Sequence, residues 1–269
     1  MKNKIFNIIL IFIFCDVFSL LLMQCDGANP TALGPQPTTL KETKHQPLLN
    51  VFGVLRPDTL AELPRSFVHL EFVYDAKESP DSTLVTDADV TVVRADSSLS
   101  ADSVAFIYTE LNNLASPEYR NTLFFPKPGI YRLVCRKDGF PELTAETVLP
   151  HVPIIRDRHI EINDTQLSFS LIQDENVGLV EVILDGDEWQ VRDRFLPPEK
   201  GDIPVTLALS PKCLGVCKLS VYAYDLNLSE YLTANMSVKP NVYLEGLRIV
   251  NNGFGCFGSL NVLVQKIIL

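Results

Sequence analysis

The chain has 269 residues, 46% of them hydrophobic, and a formal charge of −10 at pH 7. That length suits one large or two modest domains, each able to bury a core, and the composition is that of a globular protein. A net acidic chain without a basic cluster repels phosphate backbones, which excludes nucleic acid as an expected partner.

The N-terminus carries the clearest signal. Lys2 and Lys4 form a short positive region, followed by an apolar run from Ile5 to Met23 interrupted at Cys15 and Asp16. This is the order of a signal peptide, and residues 1–24 are assigned to it. The apolar run would be long enough to span a bilayer. Asp16 near its middle costs roughly 2.5–3.5 kcal/mol on insertion scales, which favours cleavage over a retained anchor. The segment Leu21-Leu22-Met23-Gln24-Cys25 resembles a bacterial lipobox, with Gln24 where Gly, Ala or Ser is preferred. The resemblance makes Cys25 the expected lipidation site and membrane attachment a lipid anchor. Residues 25–46, rich in Pro, Thr, Gly, Ala and Lys without apolar periodicity, read as a flexible tether.

Beyond the tether, strands recur with turn signals between them. Leu48–Leu55 is followed by Ser66–Asp75, in which Val68, Leu70, Phe72 and Tyr74 share one face and His69 and Glu71 the other. Asp89–Arg94, Ser103–Tyr108, Thr122–Phe125, Gly129–Lys137 and Leu143–Leu149 complete a first module over residues 47–150. Prolines at 150 and 153 forbid a central strand and mark a boundary. The second module, 151–269, repeats the style. Leu167, Phe169 and Leu171 alternate with smaller or outward residues. Asp185-Gly186 between Val180–Leu184 and Trp189–Phe195 is a hairpin signature. Ile203–Leu209 and Lys218–Tyr224 are further strands, Leu228, Tyr231 and Leu232 behind Asn227 suggest one short helix, and Val242–Val250 and Ser259–Ile268 bracket a loop at Asn251–Gly255. The fold class expected is mostly β: two sandwich modules of the immunoglobulin or transthyretin kind behind a signal peptide and short tether.

Three segments then resemble one family. Ile249 to Ser259 resembles the tail of Bacteroidota lipoproteins known as domain of unknown function 4249, with Cys256 at a position usually aliphatic. Asp87–Val92 resembles an early strand of that family. Pro128–Leu133 with Gly139-Phe140 and Leu143–Pro150 resembles its central pattern. The likeness spans about residues 48–262. It implies a lipoprotein of the outer membrane or periplasm with no established enzymatic activity, encoded beside TonB-dependent receptors and working with one as a ligand-binding or accessory component. It also singles out Asn251, Gly253, Gly255, Phe257 and Gly258 as a candidate motif loop.

Chemistry is sparse by comparison. The four histidines, His45, His69, His151 and His159, show no metal-binding spacing, and no G-x-S-x-G elbow is present. No catalytic residue, metal ligand or cofactor is assigned. Gly253-Phe-Gly255-Cys-Phe-Gly258 lacks the strand–helix setting of a phosphate loop, and its glycines point to close backbone packing. Removal of residues 1–24 leaves Cys213 and Cys217 as the only close cysteine pair. In a continuous strand, at roughly 3.3 Å per residue, their Cα atoms would lie about 13 Å apart, too far to bridge. A turn at Gly215 would bring them face to face, leaving a disulfide or free buried thiols as the alternatives, while zinc lacks two further ligands nearby. The rival functions are a hydrolase acting on imported polymer and a structural or adhesive surface module.

Overall fold

The computed structural model describes residues 47–57, 66–73, 83–96, 103–109, 118–163, 165–210, 213, 215–237 and 250–269. All lie in one compact unit, Gln46–Leu269. The signal peptide, Cys25, the tether, His45 and the expected strand over 242–249 fall outside the described residues.

The first half supplies β1 (Leu48–Leu55), β2 (Phe67–Val73), β3 (Asp89–Arg94), β4 (Ser103–Thr109), β5 (Glu118–Arg120), β6 (Gly129–Arg136) and β7 (Leu143–Leu149). The second half supplies β8 (Glu161–Ile162), β9 (Gln166–Leu171), β10 (Val177–Asp185), β11 (Gln190–Phe195), β12 (Ile203–Ala208) and β13 (Val216–Asp225). After these come helix α1 (Leu226–Ser237), β14 (Val250–Asn251) and β15 (Gly253–Ile268). The mostly-β sandwich expectation is correct, and it rests on period-two patterning. In β12, Ile203, Val205 and Leu207 are buried while Pro204, Thr206 and Ala208 face water. Pro204 cannot donate to a ladder and sits where it need not, since β12 ends its three-stranded sheet.

Two cores result. One gathers Leu49, Val51, Val68 and Leu70 from β1 and β2 against Val90, Val92, Leu133 and Leu143 from β3, β6 and β7. The other gathers Leu167, Phe169 and Leu171 from β9 and Val205 from β12 against Val180, Val182, Leu219 and Val221 from β10 and β13. Fully burying a Val or Leu side chain contributes roughly 1.5–3 kcal/mol, so each cluster is a substantial stabilising unit. The segment 150–154 crosses from one core to the other, and two strands join layers. β4 pairs with β3 through Ser103–Phe106 and with β5 through Ile107–Thr109. β15 runs parallel to β1 from Gly253 to Ser259, then antiparallel to β13 from Leu260 to Ile268. Its Phe257 belongs to the first core, while Leu263 and Ile267 pack against the second.

Four local expectations need correction. Thr122–Phe125 is not a strand; the pairing segment is Glu118–Arg120. The side-chain oxygen of Asn121 accepts the Leu123 N–H at 2.9 Å and closes a turn, so Phe124 reaches the core against Phe106 and Tyr131 without a ladder. The hairpin exists, but its two turn residues are Asp187-Glu188 rather than Asp185-Gly186, since Gly186 itself pairs with Trp189 through N–H···O at 2.9 Å. Gly186 is needed because the Trp189 ring passes 2.3 Å from where a Cβ would stand. The helix begins at Leu226 with Asp225 as its cap, and Asn227 lies inside its first turn. The Asp225 carboxylate accepts the Leu228 N–H at 2.9 Å. Finally, Asn251–Gly255 is not a loop. Only Asn252 turns, at φ 56°, and Gly253 already belongs to β15.

Asp225 lies where the two halves meet. One carboxylate oxygen accepts the N–H groups of Leu228 in α1 and Ser259 in β15, at 2.9 and 3.0 Å. The other accepts the Thr147 hydroxyl of β7 at 2.5 Å. The side chain is 2% exposed. Burial pushes its carboxyl up from 3.8 to about 6, only partly offset by the hydrogen bonds from Ser259, Thr147 and Leu228.

Two outcomes are expected. Because the folded value exceeds the unfolded one, the stabilisation linked to Asp225 is present below about pH 4 and lost as pH rises through about 6, a change of roughly 3 kcal/mol. Denaturant titrations of wild type and Asp225→Asn across that window should show this fall in the wild type alone. At Gly255 the backbone sits at φ 102° and a Cβ would lie 1.9 Å from the Val51 carbonyl oxygen. Gly255→Ala should therefore cost at least about 3 kcal/mol. Gly201→Ala shares the positive φ but has nothing within 4 Å, and it should cost only about 1–2 kcal/mol.

Candidate functional site

A concavity built from described residues is the open end of the second sandwich, with a volume of about 470 Å³. Its floor is the end of the core itself: Leu171 of β9, Val180 of β10, Ile203 of β12 and Ala223 of β13. One wall is the crossing segment His151–Ile154, tied to β9 by the Ile172 N–H donating to the Ile154 carbonyl at 2.9 Å. Ile154 and Ile172 at this mouth are 55% and 41% exposed, unusual for aliphatic side chains of their size.

The rim is polar because the β9–β10 connection, Gln173-Asp174-Glu175-Asn176, is a turn. Asp174 organises it. One oxygen accepts the Asn176 N–H and side-chain amide at 3.0 Å each; the other accepts the His151 N–H at 2.9 Å and lies 3.1 Å from His151 Nδ1. Burial pushes the Asp174 carboxyl up, but these donors outweigh it and hold the group below its ordinary value. Asp174 is thus a fixed negative charge at the edge of an apolar hollow, and the His151 imidazole in front of it is 76% exposed.

His159 and His69 lie apart from the hollow. His159 stands 3.3 Å from Glu161, and His69 lies 3.4 Å from Glu71 with Nδ1 buried and without a hydrogen-bond partner. Among the described residues no group of three or more His, Cys, Asp or Glu is placed to hold a metal ion. A second buried carboxylate, Glu181, is structural in form. Burial pushes it up, while Arg194, the Tyr224 hydroxyl and Arg192 donate to it at 2.7–2.8 Å and bring it below its ordinary value.

Cys213 and Cys217 are both buried free thiols, so the possible disulfide is not formed in this structure. Gly215 between them does turn, at φ 98°, but its N–H and C=O exchange hydrogen bonds with Leu269 at the chain end. Burial, then the nearby Cys213, pushes the Cys217 thiol up, which makes it a poorer nucleophile.

The candidate motif residues run along β14 and β15, against β7 and β1 and, at Gly258, beside Asp225; none of them lines the hollow. Phe257 is fully buried in the first core. A Cβ at Gly253 would meet Leu143 and the Leu49 carbonyl at 2.5 and 2.7 Å, and one at Gly258 would meet Leu228 at 2.6 Å. Asn251 reaches Thr144 at 3.5 Å. These residues let three strands and a helix approach closely, which is packing chemistry rather than recognition.

Sequence reading did not single out Asp174 or Asp225. Both had signals: Asp174 opens an Asp-Glu-Asn run between two apolar strands, and Asp225 precedes an apolar segment as an N-cap does.

No family model matches the chain, and no curated protein matches it. Among solved structures, the chain is similar to the chicken interferon gamma receptor alpha chain. The identity is 11%, the match covers 84% of this chain and 99% of that one, and the TM-score is 0.24.

Proposed function

We propose that this chain is a non-enzymatic lipoprotein of the cell envelope, held to the outer membrane through Cys25, that captures a ligand for a TonB-dependent receptor. The observation that supports capture is the hollow at the end of the second sandwich. Its volume of about 470 Å³ falls within the roughly 300–1,000 Å³ of small-molecule sites. An apolar floor with a few fixed polar groups at the rim is the usual division of labour in such sites, one part giving affinity and the other orientation. The anchor is supported by the lipobox-like segment ending at Cys25 and by the three family-like segments.

One observation favours the hydrolase alternative: a carboxylate oriented on a histidine at the edge of the same hollow. The arrangement of Asp174 argues for the binding reading, because its oxygens also take the Asn176 N–H that closes the turn and the His151 N–H of the crossing segment. Release of soluble fragments from a polymer by the wild type, lost in His151→Ala, would install the hydrolase reading instead.

The direct test is the intact mass of protein extracted from membranes, set beside a Cys25→Ala variant. The wild type should lack residues 1–24 and carry a diacylglyceryl group on Cys25, and the variant should lose that mass and move to the soluble fraction. An unmodified N-terminus beyond Cys25, or a chain still starting at Met1, would overturn the anchor.

A further inference from the structure

The rim of the hollow has a definite charge. The residues forming it include two carboxylates, Asp174 and Glu175, and no Lys or Arg. An anionic amphiphile would meet unscreened negative charge there with no cation to pair with. A ligand with a positive head would gain from both groups, most from Asp174, whose carboxylate is held in place and only 18% exposed.

The hydrogen-bond count around Asp174 shows how such a head would dock. A carboxylate offers about four acceptor positions. Four donors surround Asp174: the N–H groups of His151 and Asn176, the Asn176 amide and the His151 imidazole. Two of these belong to the turn itself, and the His151 N–H ties the crossing segment to it. The fourth, the exposed His151 ring, is the one that can swing away without undoing the fold. An ammonium group placed over the floor would take its position on the carboxylate, while its apolar part lay against Leu171, Val180, Ile203 and Ala223.

We propose that the mouth of the second sandwich binds an apolar ligand carrying a protonated amine, with Asp174 as its counter-ion and the His151 ring as the group it displaces. This rests on the binding reading above and adds the chemical class of the ligand. Glu175, exposed beside Asp174, adds long-range attraction that added salt would screen.

The test compares three probes of equal chain length, hexylamine, hexanol and hexanoate, titrated at pH 7 into the mature chain. Binding is followed by the amide resonances of Asp174, Asn176 and Val177. Hexylamine should bind about tenfold more tightly than hexanol, as expected for one charge-assisted contact, with hexanoate weakest. Asp174→Asn should abolish the gap between amine and alcohol. His151→Ala keeps its backbone N–H and should widen the gap, because the competing imidazole is gone. Should Asp174→Asn not fold, the ranking of probes in the wild type and in His151→Ala decides the matter. Equal binding of hexylamine and hexanol, or tighter binding of hexanoate, would overturn the assigned ligand class and leave the hollow as a binding site. No shift with any probe would overturn both.

Discussion

The C-terminal strand belongs to two cores at once, and the rest of the architecture follows from that sharing. From Gly253 to Ser259 it completes the sheet begun by β1, and from Leu260 onward it completes the sheet built on β13. Its side chains must fit a different set of partners before and after that switch. At the switch the backbone amide of Ser259 would be left short of a partner between two ladders, and Asp225 supplies one. The same carboxylate caps α1 and takes the Thr147 hydroxyl. A single buried acid therefore links β7, β13, β15 and the helix, at a point where an apolar residue would leave three donors unsatisfied. Asn227 and Asn261 reinforce the joint, donating to the carbonyls of Glu146, Phe257 and Pro150.

The glycines of the last strand answer to the same constraint. Parallel pairing of β15 with β1 brings the Val51 carbonyl so near Gly255 that no side chain fits, and α1 presses on Gly258 through Leu228. Phe257, between them, packs where Gly53 of β1 leaves room, and is buried completely. The close backbone packing that these glycines suggest in sequence is what the structure shows. The hollow at the other end of the second sandwich is made by the opposite circumstance. There the two sheets part, the crossing segment closes only one side, and core residues end at an opening.

Strands whose burial alternates were legible from the sequence. β1, β3 and β7 have the expected ends and β12 stops one residue sooner than expected; in β9 and β12 every second position is a Val, Leu, Ile or Phe. What escaped was set by partners distant in sequence. Asn121 ends a strand early by accepting a neighbouring N–H, and nothing in Thr122–Phe125 announces it. Gly186 looks like a turn glycine and is instead room for Trp189. Asn251–Gly255 has loop composition, yet β1 turns most of it into a paired strand. The hollow was the least legible feature. Its floor comes from four strands and its charge from a turn, and single-sequence patterning reports which residues are buried, not where a core is left open.

The pairing of β1 with β15 has a further consequence for how the chain reaches this state. Leu49 finds its partner at Gly253, roughly two hundred residues away, so one sheet of the first sandwich stays incomplete until the last residues are available. Until then β1 presents an open edge, with Leu49, Val51 and Leu55 beside it, to whatever else is near. A chain emerging N-terminus first would hold that edge exposed through the whole of its delivery. The two halves therefore cannot mature one after the other: the first becomes safe from misassociation only when the second is finished. Loss of β15, residues 253–268, would remove a strand from both.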